Sequence, residues 1–428
     1  MRIKKLELKN FRGFEELTID FPEGESGLAV FVGVNGAGKS SVLEGIIKLL
    51  HSYFSRLYED PIKSGQKVER NELGKNYAVK VGATIAELKV MLDVGWEKFK
   101  IEENIDLRTG LTENSIEPRI GVQFLKKENW TIELENRRLK LFQNPFLIAY
   151  YSSKRNFPKE IKLVPKDISI PNLKAAFESA FLAETNYEDF LNWFRNTEDI
   201  ENRKRLREDD SFRITALEVV RNAITTFIPS FSNPHVDTTQ FGEEIMVEKS
   251  GQKFSISQLS DGEKLLITLI GDIARRLSII NSKAPLSATG IILIDEIEQH
   301  LHPGWQRTII PNLRRTFPNI QFIVTTHSPQ VLSNVPKENV FILEDFKLVE
   351  KTPYTYGRDS NSILWDLFAV RERPEKAQED FSKLSRLMND PKNDDKAKKL
   401  LAELAEKYGD DDDEVVRARL HFEFLTEG

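Results

Sequence analysis

The chain has 428 residues, 40% of them hydrophobic and 30% charged, which is the composition of a globular protein of one or two domains and excludes a fibrous or disordered one. Its 61 basic and 67 acidic residues give a formal net charge of −6, so any contact with nucleic acid has to be local or made through a partner, not through a strongly basic surface. Cysteine is absent, which excludes disulfide frameworks, thiolate zinc sites and cysteine nucleophiles.

The N-terminal residues predict strands. Apolar and polar residues alternate from Ile3 to Phe11 and again from Leu17 to Phe21, unlike the apolar block of a signal peptide. No run approaches the roughly 20 apolar residues that a membrane helix requires. We therefore expect a cytoplasmic protein that does not contact a membrane.

A phosphate-binding loop is predicted after the apolar run Leu28–Val32. Gly33, Gly38, Lys39 and Ser40 have the spacing G-x4-G-K-S of the Walker A motif, and a helical pattern follows. Backbone amides in such a loop, together with the helix N-terminus, bind phosphate. We expect Lys39 to bind the β and γ phosphates of ATP and Ser40 to ligate Mg²⁺. The predicted nucleotide contacts of the loop are Asn35, Gly36, Ala37, Gly38, Lys39, Ser40 and Ser41.

Two carboxylates follow a second apolar run. Asp295 and Glu296 come directly after residues 291–294, at the end of a strand where open α/β sheets bind ligands. There Asp295 would hold Mg²⁺ through water, and Glu296 would polarise the attacking water, because phosphoryl transfer depends on positioning and charge stabilisation. Without the phosphate loop, the same pair could be a helix cap and an exposed charge.

A second anion site is predicted where Ser260 and Gly262 precede an apolar helix. A serine, a glycine and a helix N-terminus together attract phosphate. Ser260 and Glu263 also have the spacing of a capping box, so a simple helix cap is the alternative. The position of this segment, after the phosphate loop and before Asp295, favours nucleotide binding.

With these three elements in this order, the chain resembles the ABC-class ATPases, in particular the branch of SMC and RecF-like proteins. LSDGEK at 259–264 stands where the family has LSGGQ, NFRGF at 10–14 is similar to its N-terminal strand and turn, and TTHSPQVL at 325–332 is similar to its switch-histidine segment. The resemblance implies that Arg12 reaches the nucleotide and that His327 contacts the γ-phosphate. Catalysis would then depend on Lys39, Glu296 and His327.

The resemblance also implies an ATP-dependent homodimer or higher oligomer. ATP would bind between two copies, with Lys39 from one copy and Ser260 and Gly262 from the other on the same γ-phosphate. The family has a glutamine loop, for which Gln143 is the candidate and Gln123 the alternative. A segment after Asp295 resembles the family's dimer-contact loop, which we favour over a metal site for its polar residues Glu298, His300 and His302.

The element pattern and the resemblance predict an α/β fold: an ABC-type P-loop ATPase head with an antiparallel β subdomain, a helical insertion and a helical C-terminal tail. The N-terminal lobe is expected at 1–160 and the helical insertion at 161–245. The C-terminal lobe is expected at 246–370, followed at 371–428 by a tail that contacts a partner or another copy.

Length narrows the choice within the branch. About 60 helical residues in the insertion, without heptads, are too few for SMC arms, and about 60 residues after Leu367 are too few for a fused nuclease. With GRDSNSILWDLFAVRERPEKA at 357–377 and an amphipathic tail, the chain most resembles stand-alone defence ATPases of the Septu (PtuA) and retron-associated type. That resemblance implies a slow, regulatory ATPase that controls a separately encoded HNH-type nuclease in anti-phage defence.

Two alternatives remain open for the function. One is a RecF-like repair ATPase that binds DNA without a toxic nuclease partner, and the other is a nucleotide-stabilised scaffold, against which Glu296 argues. A basic cluster could contact nucleic acid, but its acidic flanks favour an ordinary exposed helix face; the cluster consists of Arg203, Lys204, Arg205 and Arg207.

Overall fold

The computed structural model describes residues 1–22, 27–58, 78–95, 97–106, 111–118, 140, 143–155, 157–158, 173–177, 180–181, 187–207, 209–239, 242–368, 373–389 and 393–427. The chain forms two compact units, Met1–Ile363 and Leu364–Gly428. The first unit holds the sheets, and the second is helical.

The strands, numbered in chain order, are β1 (Arg2–Phe11), β2 (Phe14–Asp20), β3 (Leu28–Val32), β4 (Ile85–Asp93), β5 (Lys98–Asp106), β6 (Leu111–Pro118), β7 (Leu147–Tyr151), β8 (Phe231–Thr239), β9 (Gly242–Lys249), β10 (Gln252–Ser255), β11 (Gly290–Ile294), β12 (Ile320–Thr326), β13 (Val340–Glu344) and β14 (Lys347–Leu348). The helices of the first unit are α1 (Lys39–Tyr58), α2 (Glu188–Arg207), α3 (Thr215–Phe227), α4 (Asp261–Ile280), α5 (Pro303–Thr316) and α6 (Pro329–Leu332). Helix α7 (Ser360–Phe368) spans the boundary between the units.

A largely parallel sheet forms the centre of the first unit. Its order is β14-β13-β3-β12-β11-β7, and only β14 runs antiparallel to its neighbour. Strands β3, β7, β11 and β12 are buried along their whole length, as their continuous apolar runs predict for strands covered on both faces. Val32 pairs with Thr326, and Ile294 pairs with both Val324 and Tyr151. The carboxyl ends of these four strands therefore lie together at one edge.

An antiparallel sheet of order β2-β1-β4-β5-β6 packs on the other side of α1. Buried and half-buried residues alternate along β4, the period expected of a strand with one face on a core. That face joins the apolar side of α1 in one hydrophobic core. The α/β head with an antiparallel β subdomain is thus confirmed. Residues 119–139 lie outside the described residues.

Helices α2, α3 and α4 pack together beside the parallel sheet. Helix α4 is buried on almost every side, which explains why its sequence is apolar around most of its circumference. A small sheet of order β10-β9-β8 follows α3. Strand β8 begins at Phe231, so the last part of 161–245, expected to be helical, is instead a β-hairpin. The four-part domain division remains a prediction.

After the end of α7, the second unit contains α8 (Glu375–Met388), α9 (Asp394–Tyr408) and α10 (Asp413–Glu427), as expected for a helical tail. Apolar residues spaced along one face of each helix form its core, for example Phe381, Leu401 and Phe422. Both terminal nitrogens of the Arg373 guanidinium donate to Asp412, at 2.8 and 3.0 Å, just before α10 begins. In the described ranges, no helix combines the length and the apolar character needed to cross a membrane.

Candidate nucleotide site

The loop between β3 and α1 lies at the carboxyl edge of the parallel sheet. Gly36 and Gly38 have φ angles of 84° and 102°, a left-handed region that favours glycine. A Cβ at Gly38 would lie 2.6 Å from the ring of Phe14, so the backbone also comes too close to this ring for any side chain. Of the other predicted contacts, Asn35 is exposed, Ala37 is buried and Ser41 is half-buried.

Lys39, the first residue of α1, is only 5% exposed. Its Nζ donates to the carbonyl oxygens of Gly33 at 3.0 Å and Val34 at 3.1 Å, and lies 3.5 Å from His327 Nδ1. Burial lowers the pKa of the Lys39 ammonium, while the nearby carboxylates of the Asp295 segment act in the opposite direction. The ammonium therefore lies inside the loop, with loop carbonyls as its partners.

Ser40 and Asp295 meet although they are far apart in the sequence. Ser40 Oγ donates to Asp295 Oδ1 at 3.1 Å, and Thr325 Oγ1 donates to the same oxygen at 2.5 Å. Asp295 is 2% exposed, so these hydroxyls fix a buried carboxylate. Ser40 and Asp295 come together because they lie beyond the ends of β3 and β11, the strands on either side of β12 in the sheet.

Glu296 lies directly beyond the end of β11 with a left-handed φ of 48°. Its backbone N–H donates to Thr325 Oγ1 at 2.7 Å. The buried guanidinium of Arg155, which follows β7, donates to the carbonyls of Asp295 at 2.5 Å and Glu296 at 2.6 Å. Hydrogen bonds on both sides thus hold a backbone conformation that costs a non-glycine residue about 1–2 kcal/mol.

His327 follows β12 at the same edge of the sheet. Its backbone N–H donates to Glu298 Oε1 at 2.5 Å, which connects the loop after β11 to the switch-histidine segment. Burial, together with repulsion from the Lys39 ammonium, lowers the pKa of the His327 imidazole. The side chain is therefore neutral at physiological pH, and its Nδ1 faces Lys39.

Arg12 lies in the turn between β1 and β2 with a φ of 53°. Its Nη2 is 2.5 Å from Glu44 Oε2 on α1, about one and a half turns beyond Lys39. Burial raises the pKa of the Glu44 carboxyl, and Arg12 opposes that effect. Arg12 Nε is buried and has no hydrogen-bond partner within the described part of the chain. Arg12 is thus placed beside the helix that carries the phosphate loop.

Ser260 caps α4 in a complete capping box with Glu263, and Lys249 lies 2.7 Å from the same glutamate. Ser260 itself is exposed. A Cβ on Gly262 would lie 2.4 Å from the carbonyl oxygen of His300, so the start of α4 packs backbone-to-backbone against the loop after Asp295. The helix-cap alternative is therefore physically present, and it leaves the serine facing solvent.

The structure does not bring Gln143 to the loop. It is exposed and precedes β7, whose amino end pairs with Gly290, so Gln143 belongs to the opposite edge of the parallel sheet. The competing residue Gln123 lies outside the described residues. The basic cluster on α2 is exposed except for the half-buried Arg205, and it is in part ion-paired, Arg203 with Asp199 and Arg205 with Asp210. Among the residues described, no group of three or more acidic or histidine side chains is placed to hold a metal.

The sequence motifs assign no role to Arg155, or to Thr325 at the start of TTHSPQVL, although both contact the Asp295 segment. A signal for Arg155 exists, because a basic residue follows the buried run of β7 as Glu296 follows that of β11. Thr325 is the penultimate residue of β12, where an apolar run turns polar. Polar residues at the ends of adjacent parallel strands are thus the pattern that finds both.

The residues present fit the groups that the sequence predicts. The Ser40 hydroxyl and the Asp295 carboxylate are hard oxygen donors within hydrogen-bond distance of each other, the ligand type that Mg²⁺ prefers. The glycine loop leaves open space around Gly36, and the Lys39 ammonium donates to loop carbonyls that phosphate oxygens can replace. The donor set therefore suits a magnesium-bound nucleoside triphosphate.

Comparison with known proteins agrees with this site. The family model described as "AAA domain, putative AbiEii toxin, Type IV TA system" matches residues 28–333. The chain is 31% identical to the "Retron Ec83 probable ATPase" of Escherichia coli, with 99% of this chain and 87% of the relative covered. It is 30% identical to the "Retron Vc95 probable ATPase" of Vibrio cholerae serotype O1 biovar El Tor, with coverages of 85% and 78%.

A further relative is the "Septu protein PtuA" of Bacillus mycoides (strain KBAB4), at 26% identity over 95% of this chain and 50% of the relative. These matches confirm the resemblance to retron and Septu ATPases that the motifs predict. The family match runs from β3 to α6 and so contains the phosphate loop, Asp295, Glu296 and His327. The chain therefore belongs to this AAA-domain family and is an ATPase of the kind found in retron and Septu systems.

Proposed function

We propose that the chain binds ATP with Mg²⁺ at the edge of its parallel sheet, closes into a dimer around it, and by hydrolysis regulates a separately encoded HNH-type nuclease in anti-phage defence. The observation that carries the nucleotide chemistry is the convergence of five side chains from three separate segments at this edge. These side chains are Lys39, Ser40, Asp295, Glu296 and His327.

Each side chain has a role that its surroundings support. Lys39 binds phosphate oxygens in exchange for the carbonyls of Gly33 and Val34. Ser40 would ligate Mg²⁺ and Asp295 would hold the ion through water, and the bound ion would neutralise charge that develops on the phosphates. Glu296 accepts a proton from the attacking water at its carboxylate. His327, uncharged beside Lys39, orients the terminal phosphate by hydrogen bonding.

The dimer is proposed from the second anion site. Ser260 is exposed at the start of the 20-residue helix α4, whose N-terminus attracts anions. Gly262 packs against His300, so the predicted signature segment and the predicted dimer-contact loop form one surface. A second copy would place its Ser260 and Gly262 against the phosphates bound by Lys39.

The nuclease partner is proposed from the relatives, which include retron and Septu proteins. In this proposal the helical tail, 371–428, contacts the nuclease or another copy. The net charge of −6 supports a chain whose nucleic-acid chemistry is carried by that partner. A RecF-like repair ATPase, the alternative, would instead bind duplex DNA by itself, with an affinity that falls as salt rises.

The test is copurification from the native operon, with the mass of the assembly measured with and without ATP. We expect a nuclease chain to copurify and the assembly to contain an even number of ATPase copies that depends on ATP. An ATPase that stays monomeric with saturating ATP and Mg²⁺ would exclude the dimer. Salt-dependent binding of duplex DNA by the chain alone, with no copurifying nuclease, would favour the repair ATPase.

A further inference from the structure

Arg155 is a buried cation whose hydrogen bonds go to backbone carbonyls. It is 2% exposed and donates to the carbonyl oxygens of Ser152 at 3.0 Å, Asp295 at 2.5 Å and Glu296 at 2.6 Å. Two of these three acceptors, the carbonyls of Asp295 and Glu296, belong to the two peptide groups that flank the Glu296 Cα. A planar guanidinium fork suits two successive carbonyls, whereas an ammonium group has no such fixed geometry.

Strand pairing alone does not fix Glu296. The ladder between β11 and β7 ends at Ile294 and Tyr151, and the last bond across it is from Asp295 N–H to the Tyr151 carbonyl, at 2.8 Å. Beyond that bond the chain turns into the left-handed φ of 48° at Glu296. Thr325 accepts from the N–H of this residue, and Arg155 donates to its carbonyl.

We propose that Arg155 is a positioning residue for Glu296: it holds the turn after β11 in the conformation that points the Glu296 carboxylate at the attacking water. This inference rests on the proposed role of Glu296 in hydrolysis. Arg155 itself touches neither water nor phosphate in this role. It acts through the backbone, and its loss displaces a catalytic carboxylate without removing any residue that binds ATP.

The test compares Arg155→Gln and Arg155→Lys with the matched control Arg315→Gln. Arg315 also donates its guanidinium to a backbone carbonyl, that of Thr226 at 2.8 Å, but on α5 and at an exposed position. We expect Arg155→Gln to lower kcat on the order of 100-fold, the cost of misplacing a catalytic group by about 1 Å, while the Kd for ATP stays within about twofold. Arg155→Lys should recover only part of kcat, and Arg315→Gln should match the unaltered protein.

A second readout needs no nucleotide. Amide hydrogen exchange in the nucleotide-free protein should accelerate in Arg155→Gln for the peptide that covers 296–301, which includes amides that donate to Thr325 or to carbonyls within the turn. The peptide that covers 39–47 should exchange as before. A loss of protection in both peptides, or a parallel loss of ATP affinity and kcat, would mean that Arg155 merely stabilises the fold, and the inference would be overturned. If Arg155→Gln does not fold, Arg155→Lys carries both measurements.

The variant Glu296→Gln tests the proposed role of Glu296 in hydrolysis separately from the positioning role of Arg155. If Glu296→Gln stalls turnover and adding Arg155→Gln lowers kcat no further, the two residues act as one unit, as proposed. If Glu296→Gln stalls turnover but Arg155→Gln keeps the normal kcat, the positioning role alone is wrong. Normal turnover in Glu296→Gln would remove Glu296 from the mechanism, whatever Arg155 does.

Discussion

Lys39 Nζ lies 3.5 Å from His327 Nδ1, so β12, which ends just before His327, places a titratable ring directly against the ammonium of the predicted phosphate loop. Burial lowers the pKa of both groups, and the Lys39 charge lowers that of His327 further. Protonating both groups at once is unfavourable, because two positive charges would then lie side by side. A neutral histidine beside a charged lysine is therefore the state that the structure favours at physiological pH.

The titration of His327 should respond to Lys39. In the nucleotide-free protein we expect its NMR midpoint below 6.5, the ordinary histidine value, and a rise towards that value in Lys39→Met because the repelling charge is gone. His51 is the internal control, since burial and Lys48 lower its pKa and Lys39 does not. A His327 midpoint that stays unchanged in Lys39→Met would show that burial alone sets it.

The same shift predicts how stability depends on pH. A histidine whose pKa is lower in the folded than in the unfolded chain binds fewer protons when folded. The contribution of His327 to the free energy of unfolding should thus be complete above pH 6.5 and decline as the pH falls towards its folded pKa. His327→Gln should flatten that part of the pH profile in urea denaturation. A profile as steep as that of the unaltered protein would assign the effect to other groups.

Lys39→Ala should abolish useful ATP binding. Loss of a charge-assisted hydrogen bond to phosphate costs about 2–3 kcal/mol, or roughly 30- to 150-fold in Kd, and the loop also loses the ammonium that its carbonyls surround. Calorimetric titration with ATP and Mg²⁺ measures this. The exposed Lys253→Ala on β10 is the matched control. Ordinary affinity in Lys39→Ala would refute the assignment of the loop.

Glu296→Gln should retain ATP and stall turnover. The amide keeps the size of the side chain but accepts no proton, so we expect phosphate release to fall by about 10²- to 10⁴-fold with little change in Kd. In the proposed dimer the variant would accumulate the closed, ATP-bound form, which mass measurement detects. The exposed Glu338→Gln should behave like the unaltered protein. Unchanged phosphate release in Glu296→Gln would contradict the role.

The sequence predicts those parts of the site that are contiguous in the chain. Lys39, Ser40, Asp295 and Glu296 each follow a buried strand within a short motif, so local pattern and strand end together fix their place. Arg155 is not predicted, because its partners are backbone carbonyls that no side-chain motif records. The structure places Gln143 away from the edge where it is predicted, for a related reason.

The position of Gln143 relative to the site depends on the direction in which β7 runs. The apolar run of β7 begins at Leu147, after Gln143, and parallel pairing with β11 puts the start of that run at the edge away from the phosphate loop. The order of strands in the sheet, which a single sequence does not contain, decides which residues share an edge. The residues that follow β7, not those before it, therefore reach the site.

Asp272 on α4 accepts from two buried arginines and one tyrosine. Its carboxylate is bonded to Arg275 at 2.6 Å, Arg276 at 2.7 Å and the Tyr151 hydroxyl at 2.9 Å. Although burial opposes ionisation, the two guanidinium groups outweigh it and lower the pKa of Asp272 to about 2. Through the Tyr151 hydroxyl, the ion cluster thus fixes α4 to β7, the strand next to β11.

Asp272→Asn should lower the free energy of unfolding by about 3–5 kcal/mol, because it leaves two buried guanidinium groups without their counterion. Urea denaturation followed by tryptophan fluorescence measures this loss. The control Asp199→Asn breaks the exposed pair with Arg203 and should cost no more than about 1 kcal/mol. Since the pKa of Asp272 is depressed, its contribution should be complete above pH 4 and lost as the pH falls to about 2. Equal losses in the two variants would contradict a buried, charge-paired Asp272.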